Sequence, residues 1–297
     1  MLHKPVLTEE LMAIIQPKSG GVYVDMTLGA AGHTSRILKL SSPKGIVIAF
    51  DKDEDAIKHA TETLKSIYQD RLILVHEDFV KLDEVLNSLG FEEVDGVVMD
   101  LGVSLDQLKS KKGFSFNIDA PLDMRMDKRS SLTASEIINS FREDELEKIL
   151  RVYGEERFAK RIAKQIVKHR PIHTTKQLAE LIEDTVPRHF SRKIHPATRS
   201  FQALRIVVND ELESLQGGLK AAIKRLKIGG SICVISFHSL EDRIVKNTLR
   251  NFKQKGIIRP LTKKPIYPSK KEILKNRQAR SAKMRCALKI AKEADND

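Results

Sequence analysis

Residues 22–33, Val-Tyr-Val-Asp-Met-Thr-Leu-Gly-Ala-Ala-Gly-His, join an apolar run to a glycine-bearing turn, and Ile46–Phe50 is a second apolar run closed by the carboxylate of Asp51. In a βαβ unit, the turn after the first strand brings backbone N–H groups and a helix N-terminus to a ligand. An acid about 20 residues further on takes ribose hydroxyls. Gly29 and Asp51 have that spacing, so the pair reads as a nucleoside-cofactor pocket. The first run also ends in an acid, Asp25. A carboxylate there repels a pyrophosphate and attracts the cationic amino-acid part of S-adenosylmethionine, which favours that cofactor over NAD. An ordinary tight βα turn would show the same glycines, so the turn alone does not decide the matter.

Apolar runs at Val22–Met26, Ile46–Phe50, Leu72–Val75 and Val94–Met99 alternate with amphipathic patterns at Gly32–Leu40, Glu54–Tyr68 and Lys81–Leu89. Such alternation predicts a parallel sheet with right-handed crossovers. After Asp100 the rhythm changes. A loop rich in Asp, Ser and Lys fills 102–128, and helical patterns then follow one another with no strand between them. Thr133-Ala-Ser-Glu136 is a capping box, Glu155–His169 stops before Pro171, and Lys176–Thr185 stops before Pro187. Pro196 suits the first turn of one long helix running to about Leu226. The β-branched run Ser231–Ser236 resumes the sheet, and strands near Leu261–Ile266 and Ala282–Ile290 would complete seven, with an antiparallel edge.

The chain has 297 residues, 41% of them apolar, and a formal net charge of +12. That apolar content is enough for a substantial core and excludes a disordered chain. The positive excess is uneven: Asn251–Asp297 holds 14 Lys/Arg against 4 Asp/Glu. Such a segment gains affinity for a phosphate backbone by releasing counterions, so RNA or DNA is a natural partner, although a solvated terminus has the same composition. Only two cysteines are present, Cys233 and Cys286, and their separation does not suggest zinc. No run approaches 18 apolar residues, and the first residues lack a signal-peptide core, so a cytoplasmic protein with no membrane partner is expected.

The segments Asp25–His33, Asp100-Leu-Gly-Val-Ser104, Gly113-Phe-Ser-Phe116, Pro121-Leu-Asp-Met-Arg-Met126, Tyr153–Arg161, His195-Pro-Ala-Thr-Arg199 and Ser236–Arg243 together resemble one family across nearly the whole chain. It is the bacterial ribosomal RNA small subunit methyltransferase H family, also called MraW. The resemblance implies a class I S-adenosylmethionine-dependent methyltransferase, Rossmann-like with a seven-stranded, mostly parallel sheet, interrupted by an all-helical domain. The division is expected as 1–108 with 210–297 for the methyltransferase domain and 109–209 for a helical insert that recognises substrate. The implied reaction is N4-methylation of one cytidine in the decoding region of 16S rRNA, within the small ribosomal subunit. No metal is expected to be required, and the sequence leaves room for a homodimer.

By similarity, cofactor contacts fall on Ala31, Gly32, His33, Asp51, Phe79, Asp100 and Gln107, joining Asp25 and Gly29 from the reading of the turn. Ala31 stands where the family usually has glycine, so its contact is expected through backbone. Leu105-Asp106 and Asn276-Arg-Gln-Ala-Arg280 also depart from the usual pattern. For the chemistry, Asp100 is the first candidate to orient the target amine or hold the cofactor's amino group, and His238 to hydrogen-bond the base or relay a proton. Phe237 is placed as a stacking surface, and His195, Arg199 and Arg205 as RNA contacts. Two other readings remain open at this stage: a methyltransferase acting on another nucleic acid, and a nonenzymatic RNA-binding assembly factor. An NAD-dependent oxidoreductase is disfavoured by Asp25 and by the incomplete glycine fingerprint.

Overall fold

The computed structural model describes residues 5–187 and 194–292, so the last residues of the basic C-terminal segment lie outside it. The chain divides into two units: Met1–Gly102 with Leu212–Asp297, and Val103–Glu211.

The first unit is built on seven strands: β1 (Val22–Asp25), β2 (Ile46–Phe50), β3 (Leu72–Val75), β4 (Val94–Asp100), β5 (Leu226–Ser236), β6 (Ile258–Pro260) and β7 (Lys283–Lys289). They lie in the order β3-β2-β1-β4-β5-β7-β6. β1 to β5 pair in parallel, and β7 runs antiparallel to both β5 and β6. Helices cover both faces of this sheet, which is why β2 reads as an unbroken apolar run rather than an alternating one. Alternate residues feed two separate cores: Val24, Ile48, Phe50, Val97 and Met99 pack on one face, and Tyr23, Val47, Ala49 and Val98 on the other. The chain winds outward from β1 through β2 to β3, then returns to place β4 on the other flank of β1. The carboxyl ends of β1 and β4 therefore frame the switch point where open α/β sheets bind ligands.

The second unit is helical: Leu105–Lys109, Ala134–Ser140, Glu143–Gly154, Ala159–Lys168, Thr175–Thr185 and Thr198–Asn209. Its core includes Leu146, Leu150, Ile162, Ile166, Ile182, Phe201 and Leu204. The irregular stretch before Lys128 is not a solvated loop, because Phe114, Leu122 and Met124 are buried in that same core. Gly113 permits this path: its φ is +85°, and a Cβ there would run into the Pro121 carbonyl oxygen.

The structure corrects the sequence reading at three elements. The single helix expected from Pro196 to Leu226 is two, Thr198–Asn209 and Glu211–Arg225, separated at Asp210, which sits in the left-handed region at φ 51°. Asp tolerates that conformation better than most residues. Asn209 fixes the helix end by accepting from Met126 N–H and donating to the Met124 carbonyl. The strand expected at Leu261–Ile266 is instead β6 at Ile258–Pro260, with only an isolated bridge from Ile266 to Met284. Pro260 and Pro265 lack the N–H that a longer edge strand would use. The helix expected at Glu54–Tyr68 is interrupted by a π-helical turn at Thr61–Lys65.

Candidate cofactor and catalytic site

β1 delivers Asp25 to the switch point almost fully buried, at 1% exposure. Its carboxylate accepts from Thr27 N–H at 3.1 Å and from the Thr34 hydroxyl at 2.7 Å. Burial pushes the Asp25 carboxyl above the usual range, against the hydrogen bond from Thr34. The turn that follows is held at both ends. Leu28 N–H donates to the Phe50 carbonyl, and Gly29 N–H donates to Asp51 Oδ2 at 2.8 Å. Asp51 Oδ1 accepts from Asp53 N–H at 2.9 Å. Burial raises the Asp51 carboxyl to about 6, although these two amides pull it down. Asp51 therefore holds the turn in shape, a role its position in sequence does not reveal.

Ala31 adopts φ 60°, ψ 22° directly before helix Gly32–Leu40. This left-handed position explains why glycine is the family's usual residue there. Gly32 has a different need, since a Cβ on it would sit 2.7 Å from Pro5 Cγ. His33 follows, 4% exposed, with Nε2 3.4 Å from Asp100 Oδ2. That contact lacks hydrogen-bond alignment: both ring nitrogens of His33 and Oδ1 of Asp100 are buried without a partner. Burial disfavours the imidazolium, but the Asp100 and Asp25 carboxylates outweigh it and raise the His33 pKa. Asp100 N–H donates to Thr27 Oγ1 at 2.6 Å, which ties the end of β4 to the turn after β1. Buried Asp25 and His33 and half-buried Asp100 thus form one cluster of titratable groups, with unused hydrogen-bonding capacity on His33 and Asp100.

Phe79 lies in a short 3₁₀ turn after β3. Asp78 fixes that turn by accepting from Val80 N–H, from the Ser214 hydroxyl at 2.8 Å and from Lys52 Nζ at 2.6 Å. The Phe79 ring rests on bare helix backbone at Gly218, where a Cβ would come within 2.5 Å of Phe79 Cδ2. A glycine inside a helix, as at Gly218, is the sequence signal for such a close approach.

At the end of β5, Phe237 comes 3.5 Å from the position a Cβ would take on Gly102, whose φ is +97°. This sets the ring beside the segment that follows Asp100. His238 caps helix Ser239–Gln254: its Nδ1 accepts from Glu241 N–H at 3.4 Å, so the neutral ring carries its proton on Nε2. Glu241, 2% exposed, accepts from Phe237 N–H at 2.7 Å and from His238 N–H at 3.2 Å. The His238-x-x-Glu241 spacing of a capping box is the sequence signal for this arrangement.

The remaining predicted residues lie in the second unit. Gln107 Oε1 accepts from Ser104 N–H, closing a capping box. The His195 ring stacks on Phe116, with centroids 4.4 Å apart. Arg199 is exposed and donates to the Glu155 carbonyl, whereas Arg205 is held by both oxygens of Glu211 at 2.8 and 2.7 Å.

The strand order, with its antiparallel seventh strand, and the carboxylates at the ends of β1, β2 and β4 define a class I methyltransferase that uses S-adenosylmethionine. The chain belongs to the MraW methylase family, whose model matches residues 1–290. It is 48% identical to "Ribosomal RNA small subunit methyltransferase H" of Caldicellulosiruptor saccharolyticus, covering 97% of this chain and 99% of that one. The protein of the same name from Carboxydothermus hydrogenoformans is 47% identical, over 97% and 98%. Among solved structures, an rRNA methylase from Streptococcus thermophilus aligns with a TM-score of 0.47 and 11% identity, over 98% of this chain and 99% of the other. A Streptococcus mutans protein solved in complex with SAH aligns at 0.45 and 12%, over 98% and 100%. The protein is an enzyme, which sets aside the nonenzymatic assembly-factor reading.

Proposed function

We propose that this enzyme methylates N4 of a cytidine in the 16S rRNA of the small ribosomal subunit, in the cytoplasm. What carries the reading is the Asp25–His33–Asp100 cluster at the switch point of a chain whose relatives bear the name given above. The bound cofactor supplies an electrophilic methyl group on a sulfonium. Asp51, with lone pairs beyond those its two amide donors use, accepts from the ribose hydroxyls, and Phe79 lies against the adenine. Ala31, Gly32 and the Gly29 turn bring backbone close to the methionine part, while Asp25 holds its ammonium. Gln107 belongs to this set by resemblance to the family.

A cytosine N4 amine is a weak nucleophile because its lone pair is delocalised into the ring, so its orientation matters most. The unpartnered Oδ1 of Asp100 accepts one N4–H and takes the proton as the new C–N bond forms. Phe237 stacks on the base. His238 hydrogen-bonds the base or relays a proton, once its Nε2 turns from Glu241 Oε1, 3.2 Å away. The helical unit, residues 109–209 in the expected division, recognises substrate, with His195, Arg199 and Arg205 toward RNA. The target nucleotide is turned out of its surroundings to reach the site. Two measurements test the reading: nucleoside mass spectrometry of rRNA from a deletion strain, and radiolabelled methyl transfer by pure protein to undermethylated small subunits. Unchanged N4-methylcytidine in the deletion strain, or no transfer to subunits, contradicts it.

A further inference from the structure

Between β6 and β7 the chain makes a strap, Leu261–Ala282, that no step of the proposed chemistry uses. Residues 261–281 contain seven Lys/Arg and one acid, Glu272. All seven basic side chains are exposed, and none pairs with an acid among the described residues. Elsewhere in the same unit lysines are commonly paired, as in Lys58–Glu54, Lys81–Glu77 and Lys227–Asp95. Three large apolar side chains are exposed among these charges: Leu261 at 37%, Tyr267 at 58% and Leu274 at 85%.

The strap is anchored on its inner side. Ile266 and Met284 exchange backbone hydrogen bonds at 2.8 and 2.9 Å, and Ala279 and Ala282 are fully buried. These alanines share a core with Leu28 and Ala31 of the cofactor turn. Glu272, the lone acid, accepts from Leu7 N–H at 2.8 Å and so ties the strap to the segment whose Pro5 packs on Gly32. The strap enters β7 at Lys283, opposite Ser236 at the carboxyl end of β5. A fixed, unpaired basic surface with an exposed aromatic ring therefore stands at the edge of the sheet that carries the site.

We propose that this strap is a track for single-stranded RNA. Its Lys and Arg hold phosphates of the segment flanking the target nucleotide, and Tyr267 stacks on one of its bases. Phosphate contacts and a sequence-tolerant stacking platform are the combination that grips an unpaired strand. The inference rests on the RNA-methylating reading of the site and adds where the strand runs.

The test uses the full-length protein and undermethylated small ribosomal subunits. The variants are Lys270→Gln/Lys271→Gln, Lys263→Gln/Lys264→Gln, Tyr267→Ala and Tyr267→Phe. Each charge pair is expected to raise KM for subunits by about tenfold with kcat little changed. Each should also flatten the dependence of log affinity on log salt by about 0.7 per lost phosphate contact. Tyr267→Ala raises KM by about tenfold and Tyr267→Phe retains wild-type KM, because the ring rather than the hydroxyl stacks. Cofactor affinity, measured by calorimetry, stays at the wild-type value in all four. Wild-type KM and salt slope in both charge-pair variants overturn the track. Wild-type protein that binds subunits and cofactor yet transfers no methyl overturns the underlying reading instead, and the salt slopes still decide the track without turnover.

Discussion

Asp51 is held at about 6 by burial, while two amides press it toward ionisation. Because its folded pKa is raised, the fold favours the neutral acid relative to the unfolded chain, while the carboxylate still predominates above about pH 6. The associated stability is complete below about 3.8 and is lost as pH rises through 6. The ionised form is the better acceptor for ribose hydroxyls, so cofactor affinity should follow the opposite course, weakening as pH falls from 7.5 to 5.5. Calorimetric titrations across that range should show the step. Asp51→Asn should lower affinity by about tenfold and flatten the profile, and equal wild-type affinities at the two ends would contradict the assignment. For Asp100, loss of the negative charge at constant shape is the informative change. Asp100→Asn is expected to cost about 10²-fold or more in kcat for methyl transfer, read by single-turnover kinetics. Asp25, Asp51 and Asp100 were legible in sequence because each closes an apolar run. The second role of Asp51 was not, since its partner Gly29 lies 22 residues away and only the folded turn brings them together.

Helix Glu211–Arg225 seats the Phe79 ring through an absence of side chain. Gly218→Ala would place a methyl 2.5 Å from Phe79 Cδ2, and the ring must move because the helix backbone cannot. The expected result is cofactor affinity reduced by about tenfold with a far-UV spectrum unchanged. An alanine variant that binds normally would remove Phe79 from the pocket. The periodic patterns of this chain located most helices and the central strands within a residue or two, because buried parallel strands and amphipathic helices write their faces directly into sequence. The failures share a cause. The break at Asp210 and the shortened β6 depend on one left-handed residue and on prolines at a sheet edge, where local conformation overrides periodicity.

The two units have separate cores, so stability and cofactor binding can be perturbed independently. Ile162→Ala, a truncation at a fully buried position of the helical unit, is expected to cost about 2–5 kcal/mol in denaturant unfolding of that unit. Cofactor affinity should stay near wild type, since the Asp25, Asp51 and Asp100 carboxylates all lie in the other unit. A parallel collapse of affinity would show that the pocket depends on the insert. The succession of helices after Asp100 was visible as a change of rhythm, because no apolar β-branched run comes between them. One topological fact bears on how the molecule is made. β7 is the last of the seven strands to leave the ribosome, yet it sits inside the sheet between β5 and β6. Until it arrives, β5 presents a bare ladder of backbone groups, which invites wrong pairing, and the strap has nothing to close onto. A nascent chain arrested before residue 283 therefore holds Asp25, Asp51 and Asp100 but lacks the strand that joins β5 to β6.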